Sequence, residues 1–120
     1  MKIKIISVNN HGDHTKEYVL LEAQENCDTG RYILADSTYN SDGTVSNKVR
    51  HTYWLPDHNV KKGDLISVWT KPGTATTTKT DSGTPIHRFY WNLKTSVWND
   101  DGDCAVLFRI DTWQLFKVDA

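Results

Sequence analysis

Val49-Arg50-His51-Thr52-Tyr53-Trp54-Leu55 is the stretch whose reading decides the fold class. In an extended chain successive side chains point to opposite faces, so Val49, His51, Tyr53 and Leu55 share one side and Arg50, Thr52 and Trp54 the other. Each side carries an aromatic residue, and the alternation alone leaves open which is buried. The same period of two recurs at 2–8, 17–23, 31–36, 64–70, 86–92, 103–109 and 113–118, in segments rich in Val, Ile, Thr or aromatic residues. No stretch of ten or more residues carries the i, i+3, i+4 spacing of an amphipathic helix. Every regular element is therefore predicted to be a strand.

Between these segments lie the residues that turns require, among them Asn9-Asn10-His11-Gly12-Asp13, Asn40-Ser41-Asp42-Gly43, Asp81-Ser82-Gly83 and Asn99-Asp100-Asp101-Gly102. Gly supplies positive φ, while Asn and Asp bond their own backbone. About eight short strands with turns at this spacing predict an all-β antiparallel sandwich. The final pair, 104–110 and 113–118, reads as a hairpin across Asp111-Thr112, a connection without glycine. Residues 70–85 hold seven Thr, two Gly and two Pro with almost no large apolar side chain, and are expected to form a mobile surface excursion or a ragged edge hairpin.

The 120 residues fit a single domain spanning 1–120 with one core, supplied by five Trp, five Tyr and three Phe. Fourteen basic against fifteen acidic residues leave a net charge of −1, so no overall field draws the chain to nucleic acid or anionic lipid. The start, Met1-Lys2-Ile3-Lys4-Ile5-Ile6-Ser7-Val8, alternates charge with β-branched residues and is a strand pattern, not a secretory leader. No apolar run approaches the roughly 18 residues of a membrane span. Taken as complete, the chain is expected to be cytoplasmic; taken as a piece of a larger protein, its compartment is open. Cys27 and Cys104 lack a C-x-x-C spacing. Buried thiols explain them more simply than a disulfide between facing sheets.

His11-Gly12-Asp13-His14 places two imidazoles and a carboxylate within four residues, the side-chain chemistry of a transition-metal site. Neighbouring residues in an extended loop diverge, so His11, Asp13 and His14 are read first as a solvated turn and second as the centre of a metal-dependent hydrolase. Asn99-Asp100-Asp101-Gly102-Asp103 has the composition of a calcium loop, but Ile110 stands where the closing Glu would be. No G-x-S-x-G elbow, Cys/His signature or HExxH motif is present, and the only Glu residues are Glu17, Glu22 and Glu25. No cofactor is called for.

Tyr53-Trp54 and Phe89-Tyr90-Trp91 set adjacent aromatics on opposite faces of their strands, so one of each set is expected to meet solvent or a partner. Trp54, Tyr90 and Trp91, with His51 and Arg88 near them in sequence, are the candidate contact residues.

The order of motifs resembles the lamin tail domain, an immunoglobulin-like β-sandwich. Glu17-Tyr18-Val19 with Leu21 is similar to that family's E-Y-V-x-L strand, and Tyr32-x-Leu34-x-Asp36 to its W-x-L-x-D strand with Tyr for Trp. Tyr53-Trp54-Leu55-Pro56, leading to Lys62-Gly63-Asp64-Leu65-Ile66-Ser67-Val68, resembles its aromatic-Pro segment and the turn before an apolar strand. Trp98-Asn99-Asp100-Asp101-Gly102-Asp103-x-Ala105-x-Leu107 resembles its W-x-N-x-G-D-x-A-x-L run with one residue more. Leu20, Ala23 and Arg31 depart from the pattern. The resemblance implies an immunoglobulin-like sandwich that is non-catalytic and binds other proteins, in some relatives DNA, and makes the 100–103 loop a structural turn.

The sequence thus predicts a binding or scaffold module recognising a protein through a sheet edge or an aromatic face. A carbohydrate or small-ligand platform built on the same aromatics is the alternative. The near-neutral charge ranks nucleic acid below both, no membrane contact is expected, and an edge strand could pair two copies.

Overall fold

The alternation read from the sequence becomes buried and exposed faces in the structure, a computed structural model that describes residues 1–99 and 102–118. The strands are β1 (Ile3–Asn9), β2 (Tyr18–Ala23), β3 (Cys27–Asp28), β4 (Tyr32–Tyr39), β5 (Val45–Trp54), β6 (Asn59–Val60), β7 (Leu65–Trp69), β8 (Thr76–Lys79), β9 (Pro85–Tyr90) and β10 (Asp103–Arg109). A 3-10 turn at Thr29–Arg31 is capped by the Asp28 carboxylate, which accepts from the Gly30 N–H. One sheet has the order β1-β2-β7-β9-β8, a second β10-β4-β5, and β3 and β6 form a two-stranded ribbon. All pairings are antiparallel except β7 with β9, which run parallel.

The two larger sheets share one core. In β2, Val19, Leu21 and Ala23 are buried while Tyr18, Leu20 and Glu22 alternate outward. Ile3, Ile66, Val68 and Phe89 join them from the first sheet, and Tyr32 and Leu34 of β4 meet them from the second. Burying side chains of this size stabilises by roughly 1.5–3 kcal/mol each. The expected sandwich is the architecture formed.

Two local expectations are corrected. Residues 113–118 form no strand. Asp111-Thr112 would need positive φ at both positions for a tight hairpin, and a β-branched Thr resists it. Instead the Ile110 N–H donates to the Arg31 carbonyl, continuing the β10–β4 ladder by one bond, and Trp113 packs on Trp54. Residues 70–85 take the edge-hairpin alternative: β8 pairs antiparallel with β9 along the sheet edge and the two are joined by a turn with Gly83 at φ +87°. Alternation in β5 is also broken by a bulge, since Ala35 faces Thr52 but Ser37 faces Val49. Arg50 and His51 therefore both stand opposite Asp36, and Val49 is set on the side of Thr52 and Trp54.

Buried carboxylates hold these irregularities. Asp36 accepts from the His51 backbone N–H at 2.6 Å and pairs with the Arg50 Nε at 3.1 Å, supplying partners at the bulge. Glu17 is fully buried; its Oε1 accepts from Ser96 Oγ and the Gly12 N–H, and its Oε2 from Thr70 Oγ1 and the Val97 N–H. Burial raises its pKa, but these donors together outweigh it and hold the carboxyl below its ordinary value. One side chain thus ties the start of β2 to the end of β7 and to the segment before β10.

Candidate functional site: the outer face of the three-stranded sheet

Leu34 points into the core, so its neighbours Ile33 and Ala35 lie on the opposite face, Ile33 half-buried and Ala35 fully covered by its neighbours. Ile33 is paired with Phe108 of β10 on one side and Trp54 of β5 on the other, making a row Phe108, Ile33, Trp54 across strands about 4.8 Å apart. The next row is Val106, Ala35, Thr52. Both rows lack a charged residue.

Trp54 is 48 % exposed and Phe108 43 %, which is unusual for side chains of their size on a sheet face. The Trp54 indole is oriented by its Nε1–H, which donates to the Gly30 carbonyl at 2.7 Å. Trp113 stands edge to face with it at 5.1 Å and is itself 54 % exposed, with the Arg31 guanidinium 5.4 Å from its ring centre. Farther along the chain Leu115, Phe116 and Val118 are exposed as well.

Next to this face a pocket of about 360 Å³ is lined by Lys2, Arg31 and Arg109 against Asp28 and Asp111, with Tyr32 and Cys27 in its wall. Burial pushes both the Tyr32 phenol and the Cys27 thiol up, so both are neutral at pH 7 and the charge of the pocket is set by its bases and acids. The apolar face is thus bordered by arginines.

The five contact residues predicted from sequence do not form one site. Trp54 lies on the face just described. Trp91 turns inward and packs 5.7 Å from Tyr53 and 6.3 Å from Trp98, with His51 edge-on at 6.4 Å and also held by Asp36. Tyr90 and Arg88 lie on the outer face of the five-stranded sheet, where Tyr18, Trp69 and Tyr90 stand in register across three strands. The rings of Tyr18 and Trp69 stack at 4.4 Å, Lys71 Nζ lies 5.1 Å over Trp69, and Gly73 is so close to the Tyr90 ring that a Cβ there would come within 2.4 Å of it. That second aromatic row has its rings covered by its own neighbours.

His11 is exposed, His14 Nε2–H donates to the Leu93 carbonyl at 2.6 Å, and Asp13 accepts from Thr15, so the three do not converge. Among the described residues no group of three or more His, Cys, Asp or Glu could hold a metal ion. Asp100 and Asp101 of the acidic loop lie outside the described residues. Cys27 and Cys104 are free thiols. Among the described residues no helix is long and apolar enough to cross a membrane.

Sequence reading missed Phe108, Ile33 and Trp113 as neighbours of Trp54. Their adjacency depends on strand register, for which a one-residue shift would have turned each to the other face. Comparison with models of known protein families and with curated proteins finds no match for the chain.

Proposed function

We propose that the chain is a non-catalytic binding module that takes a protein partner on the outer face of its three-stranded sheet. The observation that carries this is the contiguous row of Phe108, Ile33 and Trp54, extended by Trp113, in which three large aromatics are about half exposed. Clusters of exposed Trp and Phe bordered by Arg are the composition of protein-recognition surfaces. The arginine border favours a partner that sets an acidic side chain beside an apolar one.

A lamin-tail-like, immunoglobulin-like identity is part of the same proposal. It is supported by where its motif residues fall: Tyr32, Leu34 and Asp36 are all buried in β4, and Ala105 and Leu107 of β10 pack on the core. Carbohydrate binding has less support, since a sugar ring stacks on an open aromatic face, and Trp69 is flanked by Tyr18 and Lys71 while Tyr90 lies against Gly73. The free edges of β5 and β10 leave pairing of two copies as a further mode of the same surface.

The test is quantitative affinity capture from a native lysate with the unaltered chain and with a Trp54→Ser, Phe108→Ser double variant, beside a glycan array read by Trp quenching. The proposal expects a protein retained by the first and lost by the second. Glycan binding that survives the double substitution, or identical captured sets, would overturn it.

A further inference from the structure

A different cluster lies on the inner face of β9, where the five-stranded sheet ends in β8. His87 is buried there, and its Nε2–H donates to the Asp64 carboxylate at 2.9 Å. Asp64 also accepts from the Lys61 backbone N–H. Because the Nε2 proton is held by Asp64, the other ring nitrogen of neutral His87 presents a lone pair. That Nδ1 points at His58 Nε2, 2.9 Å away, and at Thr77 Oγ1, 3.1 Å away. Thr77 stands directly opposite His87 in the β8–β9 register. His58 is half-buried outside any strand, its backbone N–H anchored to the Asp28 carboxylate.

We propose that His58 Nε2 and His87 Nδ1 chelate one divalent transition-metal ion, with Asp64 as the carboxylate that orients His87. A carboxylate behind an imidazole whose far nitrogen faces a second imidazole is the arrangement that orients metal-bound histidines. The distances fit: bonds of about 2.0–2.1 Å at a tetrahedral angle set two ligand nitrogens roughly 3.4 Å apart. His58 has to withdraw by about 0.5 Å from its present 2.9 Å, where its Nε2–H donates to His87 Nδ1, and to carry its ring proton on Nδ1 instead; it sits outside any strand. The Thr77 hydroxyl and water complete the shell, because Asp64, Thr77 and His87 line an open pocket of about 420 Å³.

The donor set selects the ion. Imidazole nitrogens suit zinc, copper or nickel, whereas magnesium and calcium need oxygen ligands, and the nearest carboxylate, Asp64, is engaged behind the ring. The bound ion would clip the segment carrying β6 to β9. Sequence analysis placed metal chemistry at His11, Asp13 and His14 because those are neighbours in sequence; His58, Asp64 and His87 are brought together only by the fold.

Zinc titration followed by the imidazole NMR signals and by calorimetry tests the site. The expected result is one ion per chain, with the His58 and His87 signals shifting and the melting temperature rising. His58→Ala, at a half-buried position, should abolish both the shift and the rise while its far-ultraviolet circular dichroism stays that of the unaltered chain. Asp64→Asn should weaken binding about 10- to 100-fold. Magnesium should shift nothing. Unchanged zinc affinity in His58→Ala, or shifts confined to His11, His14 or His51, would overturn the proposal, as would the absence of any shift in the unaltered chain.

Discussion

Replacing Glu17 by Gln keeps the shape of the side chain and removes its charge. The carboxylate oxygens now accept from two hydroxyls, Ser96 and Thr70, both at 2.5 Å, and from three backbone N–H groups, Gly12 at 3.1 Å, Val97 at 2.9 Å and Trp98 at 3.5 Å. An amide offers one oxygen and one NH₂. The hydroxyls can rotate to accept, but a backbone N–H cannot, so the NH₂ placed at Oε1 gives up the N–H of Gly12, an exposed residue, and placed at Oε2 gives up the buried N–H groups of Val97 and Trp98. A buried N–H left unpaired costs about 1–3 kcal/mol, and each surviving bond drops from roughly 1.5–3 to about 1 kcal/mol on losing its ionic partner. Relief of the buried charge offsets part of this, and a net loss of about 3 kcal/mol is expected.

Against a typical total of 5–15 kcal/mol this is a large fraction, and it corresponds to a melting-temperature drop on the order of 10 °C for a chain of this length. Urea unfolding followed by Trp fluorescence measures it. A pH series adds a sign test. Because the folded pKa of Glu17 is lowered by its donors in spite of burial, its contribution is fully present above the unfolded value of about 4.3 and is lost as pH falls through the lower folded value. The stability difference between the unaltered chain and Glu17→Gln should therefore be flat from pH 8 to about pH 5 and shrink below it. A difference under about 0.5 kcal/mol at pH 7, or one that grows on acidification, would refute the account of Glu17.

Three further outcomes are expected. Gly30→Ala places a Cβ 1.8 Å from Asp57 Oδ1 and 3.0 Å from the Asp57 Cα, so the 56–58 segment must shift, and a loss of about 1–3 kcal/mol in chemical denaturation is predicted. Trp54→Ser, by contrast, should cost less than about 1.5 kcal/mol because the ring is half exposed, and a greater loss would reassign it from binding to structure. Cys27, whose thiol is pushed up by burial, should react with a disulfide reagent at pH 7.5 several-fold more slowly than a free thiol; equal rates would show that its pKa is not raised.

The aromatic pairs show how far a sequence pattern reaches. That Tyr53 and Trp54 face opposite ways follows from alternation, as it does for Phe89 and Tyr90, because a strand has only two faces; that Tyr53 and Phe89 are the inward members is set by the packing of the sheets. Trp91 follows the same parity, and its place beside Tyr53 and Trp98 comes from the meeting of two sheets. The motif positions Tyr32, Leu34 and Asp36 were legible as a strand, but the role of Asp36 was not, because it depends on a bulge in β5.

What the sequence alone determined about this protein was its class: period-two patterning, β-branched and aromatic enrichment and glycine-bearing turns leave strands as its only sizeable elements, and 120 residues fit them around one core. These are properties of neighbours a few residues apart. Tertiary structure decided the rest: that β7 and β9 lie parallel, that residues 113–118 form no strand, that Phe108, Ile33 and Trp54 share a row, and that His58, Asp64 and His87 converge. Each joins residues distant along the chain, and which distant residues meet is set by register and packing, for which a local pattern carries no signal.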